Sequence, residues 1–113
     1  MKKENQSLEK ALIAYLELLN RGLYFEAHEL LEEAWHPLRK AKHPLRNLVK
    51  GLINGAISFE HIKRNRTDAK RKALTVIKSF EKHKYLCKKE IIYFKLFKDS
   101  CLKIEALKKE FAL

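Results

Sequence analysis

The chain has 113 residues, 46% hydrophobic, 35% charged and 10% aromatic, which is the composition of one small domain able to bury a core. Three Gly and two Pro exclude collagen-like, low-complexity and turn-rich all-β classes. No apolar run reaches the roughly 18 residues that span a bilayer. The start, Met1-Lys2-Lys3-Glu4-Asn5, leads into an amphipathic stretch, so the expected compartment is the cytoplasm, with no membrane partner. Cys87 and Cys101 have no metal-type spacing and are expected to be reduced and semi-buried. The formal charge of +11 is unevenly placed: residues 1–38 carry net −3, residues 39–84 net +11 and residues 85–113 net +3. Any functional reading has to account for that separation.

Apolar spacing predicts five helical segments and an all-α, single-domain helical bundle over 1–113. In the first, Leu8, Ala11, Leu12, Tyr15, Leu16 and Leu19 make one stripe; Asn5 or Ser7 is the expected cap, and Asn20-Arg21-Gly22 the stop. The second runs from about Leu23 to Trp35, with Tyr24, Ala27, Leu31 and Trp35 facing inward and Pro37 expected to stop it; His36, Pro37 and His43-Pro44 are then loop. The third points Leu45, Leu48, Val49, Leu52, Ile53, Ala56, Phe59 and Ile62 at the core. On it Gly51 and Gly55, four apart, suggest close approach of a neighbouring helix. Thr67 is the expected N-cap of the fourth, which buries Ala69, Ala73, Val76, Ile77 and Phe80. The last, Glu90 to Phe111, reads as helix, although Ile91-Ile92-Tyr93-Phe94 has β-propensity and Asp99-Ser100 could split it.

The chemistry-bearing stretch is Phe25-Glu26-Ala27-His28-Glu29-Leu30-Leu31-Glu32-Glu33-Ala34-Trp35, in which His28 and Glu32 project from one helical face a turn apart. Such a pair defines one edge of a divalent-metal polyhedron, with Zn, Mn, Fe or Ni as candidate ions. Glu29 occupies the place of a general base, His61 is the third-ligand candidate, and Glu26 a carboxylate able to orient an imidazole. The same spacing also serves a buried polar network without metal, and spacing by itself favours that simpler arrangement. Four carboxylates within two turns need compensation, from a metal, from Arg46 or Lys50, or from a protonated His28 paired with Glu32.

The string Glu26-Ala27-His28-Glu29-x-Leu31-Glu32-x-x-Trp35, then Gly51-Leu52-Ile53-x-x-Ala56 and His61, resembles the helical family termed domain of unknown function 309, over roughly residues 19–80. The resemblance implies a small helical fold and carries the label of a predicted metal-dependent hydrolase. Its polar positions fall on Glu26, His28, Glu29, Glu32, Trp35 and His61. The chain departs from the pattern in three places: Lys50 stands for a glutamine, Arg64-Asn65-Arg66 for an Arg-Gly-Asn-like turn, and Glu60 for the first of a histidine pair. The reading is metal-dependent hydrolysis of an unidentified small substrate, with His28, Glu32 and His61 as ligands, Glu29 as base, and Glu26 and Trp35 behind them.

Two rival classes stand beside it. Lys63, Arg64 and Arg66, with Lys70 and Arg71, straddle the start of the fourth helix and would favour weak, salt-sensitive nucleic-acid binding through the 63–72 stretch. Against specific binding, 19 of the 25 basic residues are Lys and no nucleic-acid-binding signature is present. Tyr85, Tyr93, Phe94, Leu96 and Phe97 exceed one buried stripe, and would cover the bundle end, form a homodimer interface or fill a monomer core.

Overall fold

The computed structural model describes residues 3–113, with side chains from Ser7 onward. Five α-helices follow in order: α1 (Lys3–Asn20), α2 (Tyr24–Lys40), α3 (Arg46–Arg64), α4 (Ala69–His83) and α5 (Phe94–Glu110), with a single 3-10 turn at Lys84–Leu86 between the last two. Among the described residues there is no strand, and no helix is long and apolar enough to cross a membrane.

Helix α3 is the central element, packed against α2, α4 and α5, while α1 lies on α2 and α5. Leu48, Val49, Leu52, Ile53, Ala56 and Phe59 are all completely buried on it. The glycine spacing has a direct use. A Cβ at Gly51 would lie 3.1 Å from the Phe80 Cα and 3.3 Å from the Ser79 carbonyl oxygen, and one at Gly55 would lie 2.7 Å from Ile104 Cδ1. Gly51 lets the α4 backbone itself approach, and Gly55 admits a side chain of α5. At one end the rings of Tyr24, Phe59 and Phe111 close the core, with centroids 5.6–6.0 Å apart, separations typical of aromatic packing.

Helix ends account for most differences from the sequence expectations. α1 begins at Lys3, so Ser7 lies inside the helix and is not its cap; the side chain of Asn5 is outside the described residues. The expected stop at Gly22 is present: Gly22 has φ 73°, and Leu23 N donates to Leu18 O at 2.9 Å, a Schellman closure. Pro37 does not end α2, and His36 and Pro37 are helical. Pro37 and Glu33, four residues before it, are exposed, so the carbonyl that proline leaves without an N–H lies on the hydrated side. Leu38, completely buried, anchors the final turn. The helix ends where Lys42 turns left-handed and His43 N reaches Leu38 O at 2.9 Å.

Thr67 is likewise not the cap of α4. A backbone bond from Ala69 N to Arg66 O (2.9 Å) makes Thr67 and Asp68 the middle of a turn, and the capping position falls on Asp68, at φ 61° and without a side-chain cap. The last helix starts at Phe94, after Tyr93 at φ 57°, so Glu90–Tyr93 is turn and not helix. Ile91 and Ile92 there cover the core without forming a strand. Asp99-Ser100 does not split α5, because Ser100 Oγ donates to Leu96 O at 2.8 Å and Asp99 pairs with Lys95. Of the surplus apolar residues, Phe97 is buried, Tyr93, Phe94 and Leu96 are half-buried, and Tyr85 stands 64% exposed.

Candidate functional site

A surface depression of about 240 Å³ lies where α2, the C-terminal turns of α3 and the start of α4 meet; its walls include Phe25, His28, Glu60, His61, Arg64, Arg66 and Lys72. The helical register explains the grouping. Tyr24 and Ala27 are buried on the inner face of α2, so Phe25 and His28 flank that face at the seam with α3. Phe59 is buried on α3, which puts Glu60, His61 and Arg64 on the same edge one turn apart. The left-handed Asn65, whose N–H reaches His61 O and Ile62 O at 3.2 and 3.0 Å, reverses the chain and brings Arg66 and the first turn of α4 to the mouth.

Within this cavity His28 Nδ1 is 2.7 Å from Phe25 O. A carbonyl only accepts, so Nδ1 carries the proton and donates, and Nε2 of the neutral ring remains a lone-pair site. The Phe25 ring lies edge-on to His28, with centroids 5.1 Å apart, and is itself covered by the Arg64 guanidinium at 5.1 Å. Arg64 Nε also donates to Glu60 Oε2 at 2.6 Å. Three fixed cations, Arg64, Arg66 and Lys72, therefore share the cavity with one carboxylate, Glu60.

His28 and His61 both line this cavity, whereas Glu29 and Glu32 line a neighbouring, shallower depression with His28, Glu33 and His36. The imidazole nearest Glu32 is His36, 4.0 Å away on the next turn, and not His28. Glu26 is exposed, and the group that orients His28 is the Phe25 carbonyl. Trp35 lies elsewhere on the α2–α3 seam, its indole Nε1 donating to Arg46 O at 3.1 Å beneath Lys50 at 4.3 Å. Lys50 is thus engaged at Trp35, and Arg46 donates to His43 O; the compensation expected from them for the α2 carboxylates is not what they provide. Among the described residues, no three His, Cys, Asp or Glu side chains are grouped so as to hold a metal ion.

The basic stretch divides among several tasks. Lys63 Nζ donates to Gly22 O at 2.7 Å, Arg64 is tied to Glu60, and Arg71 pairs with Asp68 at 3.2 Å. Arg66 and Lys72 line the cavity, and Lys70 is exposed. Sequence reasoning gave Phe25, which belongs to no inner stripe, no role of its own, and treated the cations and the histidines as rivals. The departure at Glu60 was the available signal that this turn differs from the family pattern.

Fold and site together define an all-α helical-bundle domain with a half-enclosed cavity between three helices. The family model described as Domain of unknown function (DUF309) matches residues 12–73, more than half the chain, and the protein belongs to that family. No curated protein and no solved structure matches the chain.

Proposed function

We propose that the α2–α3–α4 cavity is a hydrolytic site for a small substrate, with His28 and His61 as its acid–base pair. The observation that carries this reading is that two imidazoles from separate helices line one half-enclosed space. Two such groups divide the work of hydrolysis: one accepts a proton from the attacking water while the other donates to the leaving group, each step contributing about 10²–10⁴-fold. With its Nδ1–H committed to Phe25 O, His28 offers Nε2 as the acceptor, and His61 is the donor.

A second reading, metal-dependent hydrolysis, is favoured by the presence of both imidazoles in the same cavity. A divalent ion such as Zn, Mn, Fe or Ni would act there as a Lewis acid and lower the pKa of a bound water. His28 Nε2 and His61 would be its ligands. The residues do not form a ready centre, since Glu60 is held by Arg64 and Glu32 faces the neighbouring depression.

The test uses p-nitrophenyl phosphate and p-nitrophenyl acetate as probes, with chelator or with each metal added. Turnover of either probe that falls about 10²–10⁴-fold in His28→Ala and in His61→Ala, at unchanged helical circular dichroism, supports the site. Loss on chelation and recovery with one ion selects the second reading. Equal rates in wild type and both variants, or no turnover with any ion, overturns hydrolysis.

A further inference from the structure

We infer that the cavity's ligand is a small anion joined to an apolar body, of the chemistry of an aryl phosphate, and that Arg64 receives it by exchanging its ion pair with Glu60 for the ligand's anionic group. The inference rests on the cavity being the working site, but not on hydrolysis taking place there.

Charge balance is the first argument. Arg64, Arg66 and Lys72 face one carboxylate, and the His61 imidazole can add an N–H donor. Like charges gathered around a concavity raise the local concentration of a counter-ion. A neutral or cationic guest would leave that surplus uncompensated. The second argument is shape. The volume, about 240 Å³, lies below the about 300–1,000 Å³ of drug-sized sites, so it has room for a single small ligand. Phe25, Ile57 and Ala69 supply an apolar wall beside the cations, and Phe25 is 39% exposed.

Arg64 links the two arguments. Its side chain is 42% exposed while that of Glu60 is 17% exposed, so the guanidinium is the outer, movable partner. Resting at 5.1 Å over Phe25, it keeps donors beyond Nε that suit a bidentate oxyanion. Glu60 is then a built-in competitor: it occupies the cation that an incoming anion needs. This gives a signed expectation, because removing the competitor's charge should strengthen anion binding, whereas a purely structural ion pair would give no gain.

The experiment titrates the full chain with phenyl phosphate, inorganic phosphate and benzyl alcohol, and separately with a single-stranded RNA oligonucleotide, by calorimetry and amide chemical shifts. Phenyl phosphate should bind most tightly and benzyl alcohol not at all. Arg66→Ala and Lys72→Ala should each weaken phenyl phosphate by about 3–10-fold, and Glu60→Gln should tighten it by a similar factor. Lys78→Ala, the same charge change on the exposed face of α4, should stay within about twofold. Equal weakening by Lys78→Ala, weaker binding in Glu60→Gln, or RNA bound while phenyl phosphate is not, would each overturn the inference. The double variant His28→Ala/His61→Ala separates it from the proposed function. Phenyl phosphate bound by this variant and by a wild type that turns nothing over leaves the anion site standing and removes hydrolysis. Turnover of the acetate ester with no phenyl phosphate binding does the reverse.

Discussion

Two clusters of charge sit at different places on this bundle, and they are built in opposite ways. Between α4 and α5, Glu81, Lys84, Glu105 and Lys108 form a closed ring: Lys84 meets Glu81 at 2.7 Å and Glu105 at 2.9 Å, and Lys108 bonds to the same two carboxylates. Two negative charges answer two positive ones. Burial pushes both carboxylates up, but hydrogen bonds and charge from the two lysines outweigh it and hold them below the ordinary range. Nearby, burial raises the Cys101 thiol to about 12 and also raises Cys87, so that end presents no activated nucleophile. The α2–α3–α4 cavity, by contrast, leaves Arg66 and Lys72 beside a single Glu60–Arg64 pair. A neutralised cluster fastens helices together, while an unbalanced one in a concavity has affinity left for something else.

Both clusters include residues of α4, which packs on α3, so the largest expected effect comes from spoiling that seam. Gly51→Val would force side-chain carbons against the α4 backbone and should cost about 2–3 kcal/mol, read as a lowered denaturation midpoint. Gly55→Ala meets only the end of the Ile104 side chain. Rotation of that end, together with the helix-propensity gain of about 1 kcal/mol, should keep its cost below that of Gly51→Val. Equal costs would show that the two glycines are interchangeable.

A sharper contrast comes from deleting one cation at each cluster. Lys108→Ala leaves Glu81 and Glu105 sharing Lys84 alone and should cost about 1 kcal/mol, or about 4–6 °C in Tm. Arg66→Ala should stay within about 0.5 kcal/mol, its effect appearing in anion binding instead. The reverse pattern would exchange the roles assigned to the two regions.

The smallest effect is in pH dependence. Because Glu81 and Glu105 titrate lower in the folded state, they bind fewer protons there than in the unfolded chain at mildly acid pH. Their contribution is present above the unfolded carboxylate range and is lost as pH falls through the folded values. Urea midpoints measured from about pH 6 to pH 3 should therefore fall less steeply in Glu81→Gln/Glu105→Gln than in wild type.

The five helices were legible because each carries an apolar stripe at helical period and most stops are marked by local signals such as Gly22 and Asn65. Pro37 and Thr67 misled for a shared reason: a boundary residue acts through its surroundings. An exposed proline with a buried Leu38 behind it does not stop a helix, and a threonine inside a closed Arg66–Ala69 turn cannot cap one. At the site, His28 and His61 were readable as candidates, but Glu32 looked like a partner of His28 only because i and i+4 residues share a face.

The sequence by itself determined the all-α class, most of the inner face of each helix and the family, since these follow from periodicity and local residue types, although Leu16, Ile62 and Val76 are only half-buried. Only the tertiary structure decided that the histidines and the cations, which read as competing functions along the chain, border one cavity. Helical spacing fixes neighbours within a rod, whereas the rotation of α2 against α3, and the turn at Asn65 that returns Arg66 and Lys72 to the same edge, are set by how whole apolar faces pack.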